Sequence, residues 1–174
     1  MSNIPNQIHD EDQITLHEQI RHELARTRSS AVTTASSHEA VEPGPAPRSS
    51  THILYKELSY AIGGAVIDVH RHLGPGQIEA NYERALAQEL TARAIPFQRQ
   101  VAIDSFYKGE LIGEFVVGMI VNDQIILELK SVVQLHQVHR AQLLGYLRAT
   151  GLRLGLLINF NEAVVWKGIK RIVL

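Results

Sequence analysis

The sequence predicts one α/β domain over residues 53–174, with a mixed β-sheet flanked by helices, and three observations point to it. Apolar residues recur at helical spacing from Leu54 to Leu90. The period then changes to that of strands joined by short turns, between residues 98 and 133. A further helical segment finally separates two apolar, strand-like runs.

The first helix is predicted from Leu54, Leu58, Ile62, Val66, Val69 and Leu73, whose spacing of three and four makes one apolar face. Gly63 and Gly64 interrupt that face, and a glycine pair there suggests close approach of another backbone. The helix should stop at Gly74-Pro75-Gly76, because glycine suits a left-handed cap and proline cannot continue the ladder. A second helix follows, with Ile78, Tyr82, Leu86 and Leu90 as its buried stripe. Glu79 in its first turn is favoured by the helix dipole, and Pro96 closes it.

Residues 98–107 and 110–121 read as strands joined by Lys108-Gly109, a short hairpin turn. Asn122-Asp123 turns the chain into a third strand over residues 125–133. A helix from His136 to Thr150 ends at Gly151, and the apolar run Leu154–Phe160 reads as a buried strand. Strand, helix and strand in succession predict that 125–133 and 154–160 are parallel neighbours joined by a right-handed crossover. The tail from Val164 to Leu174 adds a last hairpin or edge strand.

Composition bounds the rest. The chain has 174 residues, 45% hydrophobic, enough for one domain with a real core plus a tail. Residues 28–51 are rich in Ser, Thr, Ala and Pro and cannot bury enough surface to offset ordering entropy, so residues 1–52 are read as a flexible arm and linker. Within that arm Ile14, Ile20 and Leu24 form a weak amphipathic stripe, which allows a short helix and a protein partner for it. Cysteine is absent, which excludes disulfides, thiolate nucleophiles and cysteine zinc sites. No apolar run approaches the ~18 residues of a membrane span, and no signal pattern opens the chain, so the expectation is a cytoplasmic protein with no membrane contact. Residues 51–174 carry 13 basic and 11 acidic side chains. That balance permits a polyanionic partner without requiring one.

Chemistry concentrates in the third strand. Alternation sends Ile125, Leu127 and Leu129 to one face and Ile126, Glu128 and Lys130 to the other. Glu128 and Lys130 are then same-face neighbours about 7 Å apart at the backbone. Two charges on a central strand need partners, water or a metal, because desolvating them is costly. A plain structural ion pair satisfies that need as well as a catalytic site does.

Other residues extend the pattern. Gly76, Glu79 and Tyr82 stand at the spacing GxxExxY after LGPG, and Gln142 and Tyr146 lie in QLLGYLRATG ahead of LGLLINF. Together with ILELK, in this order over residues 54–174, they make the chain similar to the GxxExxY family of the PD-(D/E)XK nuclease-like superfamily. The resemblance implies a restriction-endonuclease-like core. It implies that Glu128, with an acidic residue on the preceding strand, binds a divalent metal and that Lys130 positions or activates water. Glu79 would join the metal shell and Gln142 would stand beside it. Oxygen ligands suit a hard ion such as Mg²⁺, which polarises a phosphodiester and activates bound water, while Lys130 can stabilise charge on phosphate.

The sequence departs from that family at the preceding strand. Phe115-Val116-Val117-Gly118 stands where the family pattern has Tyr-Arg-x-Asp, so Gly118 replaces the metal-binding aspartate and Val116 the arginine. Glu114 is about 13 Å away along the strand, too far for a simple substitution, and Asp123 lies at the following turn. The expectation is therefore a nuclease-like domain that is nucleic-acid-related, with weak or no Mg²⁺-dependent hydrolysis of DNA or RNA. An active nuclease and a non-catalytic protein-interaction module are the alternatives. Around the site, Tyr82 suits either a pocket hydrogen bond or the core, Gln142 suits pocket support and Tyr146 packing. His136 and His139 read as surface histidines without a third ligand, and Arg140, Arg148 and Arg153 suit either phosphates or solvent. Trp166 beside Lys167 suits base stacking or, more simply, tail packing.

Overall fold

The computed structural model describes residues 53–174, so the expected N-terminal arm and its short helix lie outside the described residues. The described residues form helices α1 (Lys56–Leu73), α2 (Glu79–Ala92) and α3 (Gln137–Thr150) and strands β1 (Phe97–Tyr107), β2 (Glu110–Val121), β3 (Ile125–Lys130), β4 (Leu154–Asn159) and β5 (Ile169–Val173). The strands make one sheet in the order β1-β2-β3-β4-β5. All neighbours are antiparallel except β3 and β4, which are parallel and joined through α3. This is the mixed, restriction-endonuclease-like α/β architecture that the sequence predicts, and β5 supplies the edge strand expected of the tail. None of the described helices is long and apolar enough to cross a membrane.

The sheet separates two cores. Ile62, Val66 and Val69 of α1 and Tyr82, Leu86 and Leu90 of α2 pack with Ile125, Leu127, Leu156 and Ile158 on one face. Leu143 and Leu147 of α3 pack with Ile126, Leu157 and Ile172 on the other. The alternation read in the third strand is thus real: odd positions meet α1 and α2, even positions meet α3. At Gly155 the helix comes so close to β4 that an added Cβ would stand 2.6 Å from Leu143, which seats α3 tightly on the sheet.

Local rules account for most boundaries. α1 ends where Gly74 takes φ 66° and returns its N–H to the His70 carbonyl. Asn122 and Asp123 both take positive φ at the turn between β2 and β3. Four expectations need correction. Ile78 is 65% exposed, because it is the N-cap residue of α2 and precedes the helical stripe. Leu73 at the last position of α1 is likewise largely exposed. β3 ends at Lys130 and does not run to Val133, because the Ser131 hydroxyl donates to the Gln77 carbonyl at 2.6 Å and draws the chain off the ladder. The neighbour of Gly64 is the Arg93 guanidinium, 3.1 Å from where a Cβ would sit, and not a backbone; that arginine also pairs with Asp68 of α1 and Glu89 of α2.

One irregularity shapes the site. In β1 Phe97 belongs to the α1/α2 core, yet Val101 and Ile103, an even number of residues on, belong to the α3 core. In β2 the same switch separates Phe115 and Val117 from Met119 and Val121. Regular pleating keeps such positions on one face, so the ribbon twists between them. The break falls at Gln100, which takes φ 51°, and at Gly118 opposite it, between the registered pairs Arg99–Met119 and Val101–Val117.

Candidate functional site

That twist opens a pocket of about 190 Å³ beside the sheet, walled by Glu79 and Glu83 of α2, Gln100, Gly118, Glu128 and Gln142. Val116, Leu129 and Tyr146 complete its lining. Each element has a local reason to be there. Tyr82 is fully buried, stacks on Phe160 with ring centroids 4.3 Å apart, and donates its hydroxyl to the Gly74 carbonyl at 2.7 Å while accepting from the Gln77 N–H at 3.1 Å. Of the two roles considered for it, the core one holds: its ring is core, and its hydroxyl bonds outside the pocket lining, where it clamps the Gly74–Gln77 loop that begins α2. This clamp fixes where Glu79 starts. We expect Tyr82→Phe to cost about 1 kcal/mol in urea unfolding and to loosen the loop, seen as faster amide exchange at Gln77.

Glu79 reaches the end of β3, where the Ser131 N–H donates to it at 3.4 Å and Lys130 Nζ stands 4.0 Å away. Its side chain is half exposed. Glu128 is buried, 6% exposed, and its carboxylate meets Lys130 Nζ at 2.7 Å. Gln142 donates to the Tyr146 hydroxyl at 2.6 Å, and Tyr146 stacks on Phe115. The chain therefore brings Glu79, Glu128 and Gln142 together around one opening, with Gly118 in its wall, while Lys130 lies outside that lining and is joined to it through Glu128.

Lys130 is held as a cation. Burial is the largest single influence on it and works against the charge, but the hydrogen bond and charge of Glu128, then the charges of Glu79 and Tyr146, outweigh it and raise its pKa above the ordinary 10.5. A lysine so raised keeps its proton at neutral pH and cannot act there as a general base. It can hold an anion. The sign for stability follows: the pair contributes fully below the unfolded-state value and is lost as pH rises through the folded one. Unfolding free energy should therefore fall above about pH 10.5, and a Lys130→Met variant should lack that alkaline decline when both are followed by urea denaturation across pH.

Glu83 and Gln100 are pocket residues that the sequence did not single out, and Glu83 is the one with a sequence signal. It lies one helical turn after Glu79, which is the signal that could have found it. Its carboxylate is engaged: Arg99 donates to Oε1 at 2.7 Å and Gln100 to Oε2 at 2.8 Å. Glu114 and Asp123 stand outside the pocket lining; Glu114 faces Asp104 across the hairpin, and Asp123 accepts from Gln98 at the turn. His139 accepts from the His136 N–H at 3.1 Å and so caps the start of α3. Trp166 is half buried in the short 3-10 turn Val165–Gly168.

Among the described residues no three His, Asp, Glu or Cys side chains are grouped so as to hold a metal ion. Glu128 already has an ammonium partner at 2.7 Å, and a Cβ at Gly118 would meet nothing nearer than the Leu127 carbonyl at 3.9 Å. Position 118 therefore has room for a side chain. The lining can exchange hydrogen bonds through Gln142 and Glu79, while the Lys130 ammonium is engaged by Glu128.

A family model described as the PD-(D/E)XK nuclease superfamily matches residues 56–172, from the start of α1 almost to the end of β5. No curated protein and no solved structure matches the chain. With the match covering two thirds of its length, and the Glu128-x-Lys130 pair set in a mixed sheet between helices, the chain belongs to the PD-(D/E)XK nuclease superfamily.

Proposed function

We propose that this domain belongs to the GxxExxY branch of the superfamily and acts on or binds nucleic acid through a partly degenerate site, with weak or no Mg²⁺-dependent phosphodiester hydrolysis. The observation that carries the reading is Gly118 in the pocket wall beside an intact Glu128–Lys130 pair. Lys130 contacts a phosphate only by releasing Glu128, and Gln142 and Glu79 line the pocket beside that pair. With Glu128 neutralised by Lys130 and no aspartate on β2, the anionic ligand set falls short of what a hard cation selects.

The test is a cleavage assay on single- and double-stranded DNA and RNA with Mg²⁺ or Mn²⁺, using wild type, Lys130→Ala and Gly118→Asp. The expected result is background hydrolysis by wild type and metal-dependent hydrolysis by Gly118→Asp. Vigorous wild-type cleavage that Lys130→Ala abolishes would replace this reading with that of an active nuclease.

A further inference from the structure

We infer that a groove between α3 and the β1–β2 hairpin binds the bases of a single-stranded nucleic acid and leads the strand to the pocket walled by Glu79, Glu128 and Gln142; this rests on the nucleic-acid reading above. The groove measures about 640 Å³ and shares Gln142 and Tyr146 with that pocket, so one strand can occupy both. Its walls are aromatic. Phe115 and Tyr146 stack with centroids 4.8 Å apart and planes within 13°, and Phe106 stands beside them 61% exposed. Gly145 keeps the helix side low, since a Cβ there would meet nothing within 4 Å.

Charge selects the occupant. Residues 131–161 contain no aspartate or glutamate but hold Arg140, Arg148 and Arg153, so α3 and the turn after it carry positive charge with no acidic residue on the same stretch. Arg148 lines the groove, and among the described residues neither it nor Arg140 enters an ion pair. Flat apolar rings with an arginine at their margin fit a base and its phosphate, because every base offers a π-face and the backbone offers the anion. A duplex keeps its bases stacked and hides those faces. Asp104 is the one carboxylate in the lining and opposes the strand locally.

The experiment measures fluorescence anisotropy of a labelled single-stranded oligonucleotide and of its duplex, in EDTA over a salt series. The wild type, Phe106→Ala, Gly145→Met, Arg148→Ala and Asp104→Asn proteins are compared, with circular dichroism as the folding control. The single strand should bind tighter than the duplex. Phe106→Ala should weaken it at least about fivefold, and Gly145→Met, which fills the groove from an open helix position, similarly. Arg148→Ala should lower the salt slope by about 1, and Asp104→Asn should tighten binding. Equal or tighter duplex binding, untouched by the groove variants but weakened by Lys130→Ala, overturns this inference and leaves the proposed function standing. Absence of any nucleic-acid binding overturns both, and so does self-association lost in Phe106→Ala without nucleic-acid binding, which would make the surface a protein interface.

Discussion

Replacing Lys130 by methionine should lower the unfolding free energy by about 3 kcal/mol, because it strands the Glu128 carboxylate. Glu128 is 6% exposed and pairs with Lys130 at 2.7 Å. Removing one member of a buried pair leaves an uncompensated charge, whereas removing both leaves a polar but neutral site. The double variant Glu128→Gln/Lys130→Met should therefore recover most of the loss, and the coupling between the two changes should exceed 1 kcal/mol as a double-mutant cycle. Paired urea titrations of the four proteins measure it. Additive losses would mean that the contact carries little energy, and that Glu128 finds water when Lys130 is gone.

Gly118→Asp is expected to have the second large effect, and its sign depends on cation. Position 118 has negative φ and open space around a prospective Cβ, so the backbone accepts a side chain. Without divalent ions the new carboxylate adds negative charge to a pocket that already holds Glu79 and Glu128, and stability should fall. With Mg²⁺ or Mn²⁺ the ligand set becomes the paired acidic arrangement a hard cation accepts. Cation at a hundredfold excess over its dissociation constant would add about 2.7 kcal/mol by mass action. Thermal unfolding with and without Mn²⁺ should thus separate strongly for Gly118→Asp and hardly at all for wild type.

The parts of the fold that were legible in the sequence are those set locally. Gly74, Lys108-Gly109, Asn122-Asp123 and Gly151 each enforce a chain reversal or helix stop through their own backbone preferences, and the structure has its boundaries there. The two faces of β3 followed from alternation alone. What was not legible depends on distant partners. Gln100 takes a left-handed conformation with nothing in its own chemistry to demand it, where its amide reaches Glu83 of α2 and its backbone faces Gly118. The twist there moves Val101 and Val117 to the α3 face and brings Gln100 into the pocket wall beside Glu83, which no period in the sequence announces. The early end of β3 has the same origin, since Ser131 leaves the ladder for Gln77, more than fifty residues earlier in the chain. Within the site, Glu128, Lys130 and the missing acid at 118 were readable as residue types. Which carboxylates are already engaged was not, because engagement is a property of distance.

On the proposed reading the pocket lacks a functional divalent-cation site, because position 118 supplies no acid and Lys130 neutralises Glu128. Isothermal calorimetry of Mn²⁺ into the wild-type chain tests it most directly. The account predicts no saturable heat at micromolar cation, and saturable binding in Gly118→Asp that Glu128→Gln removes. A stoichiometric micromolar site in the wild type, lost on Glu128→Gln, would contradict it.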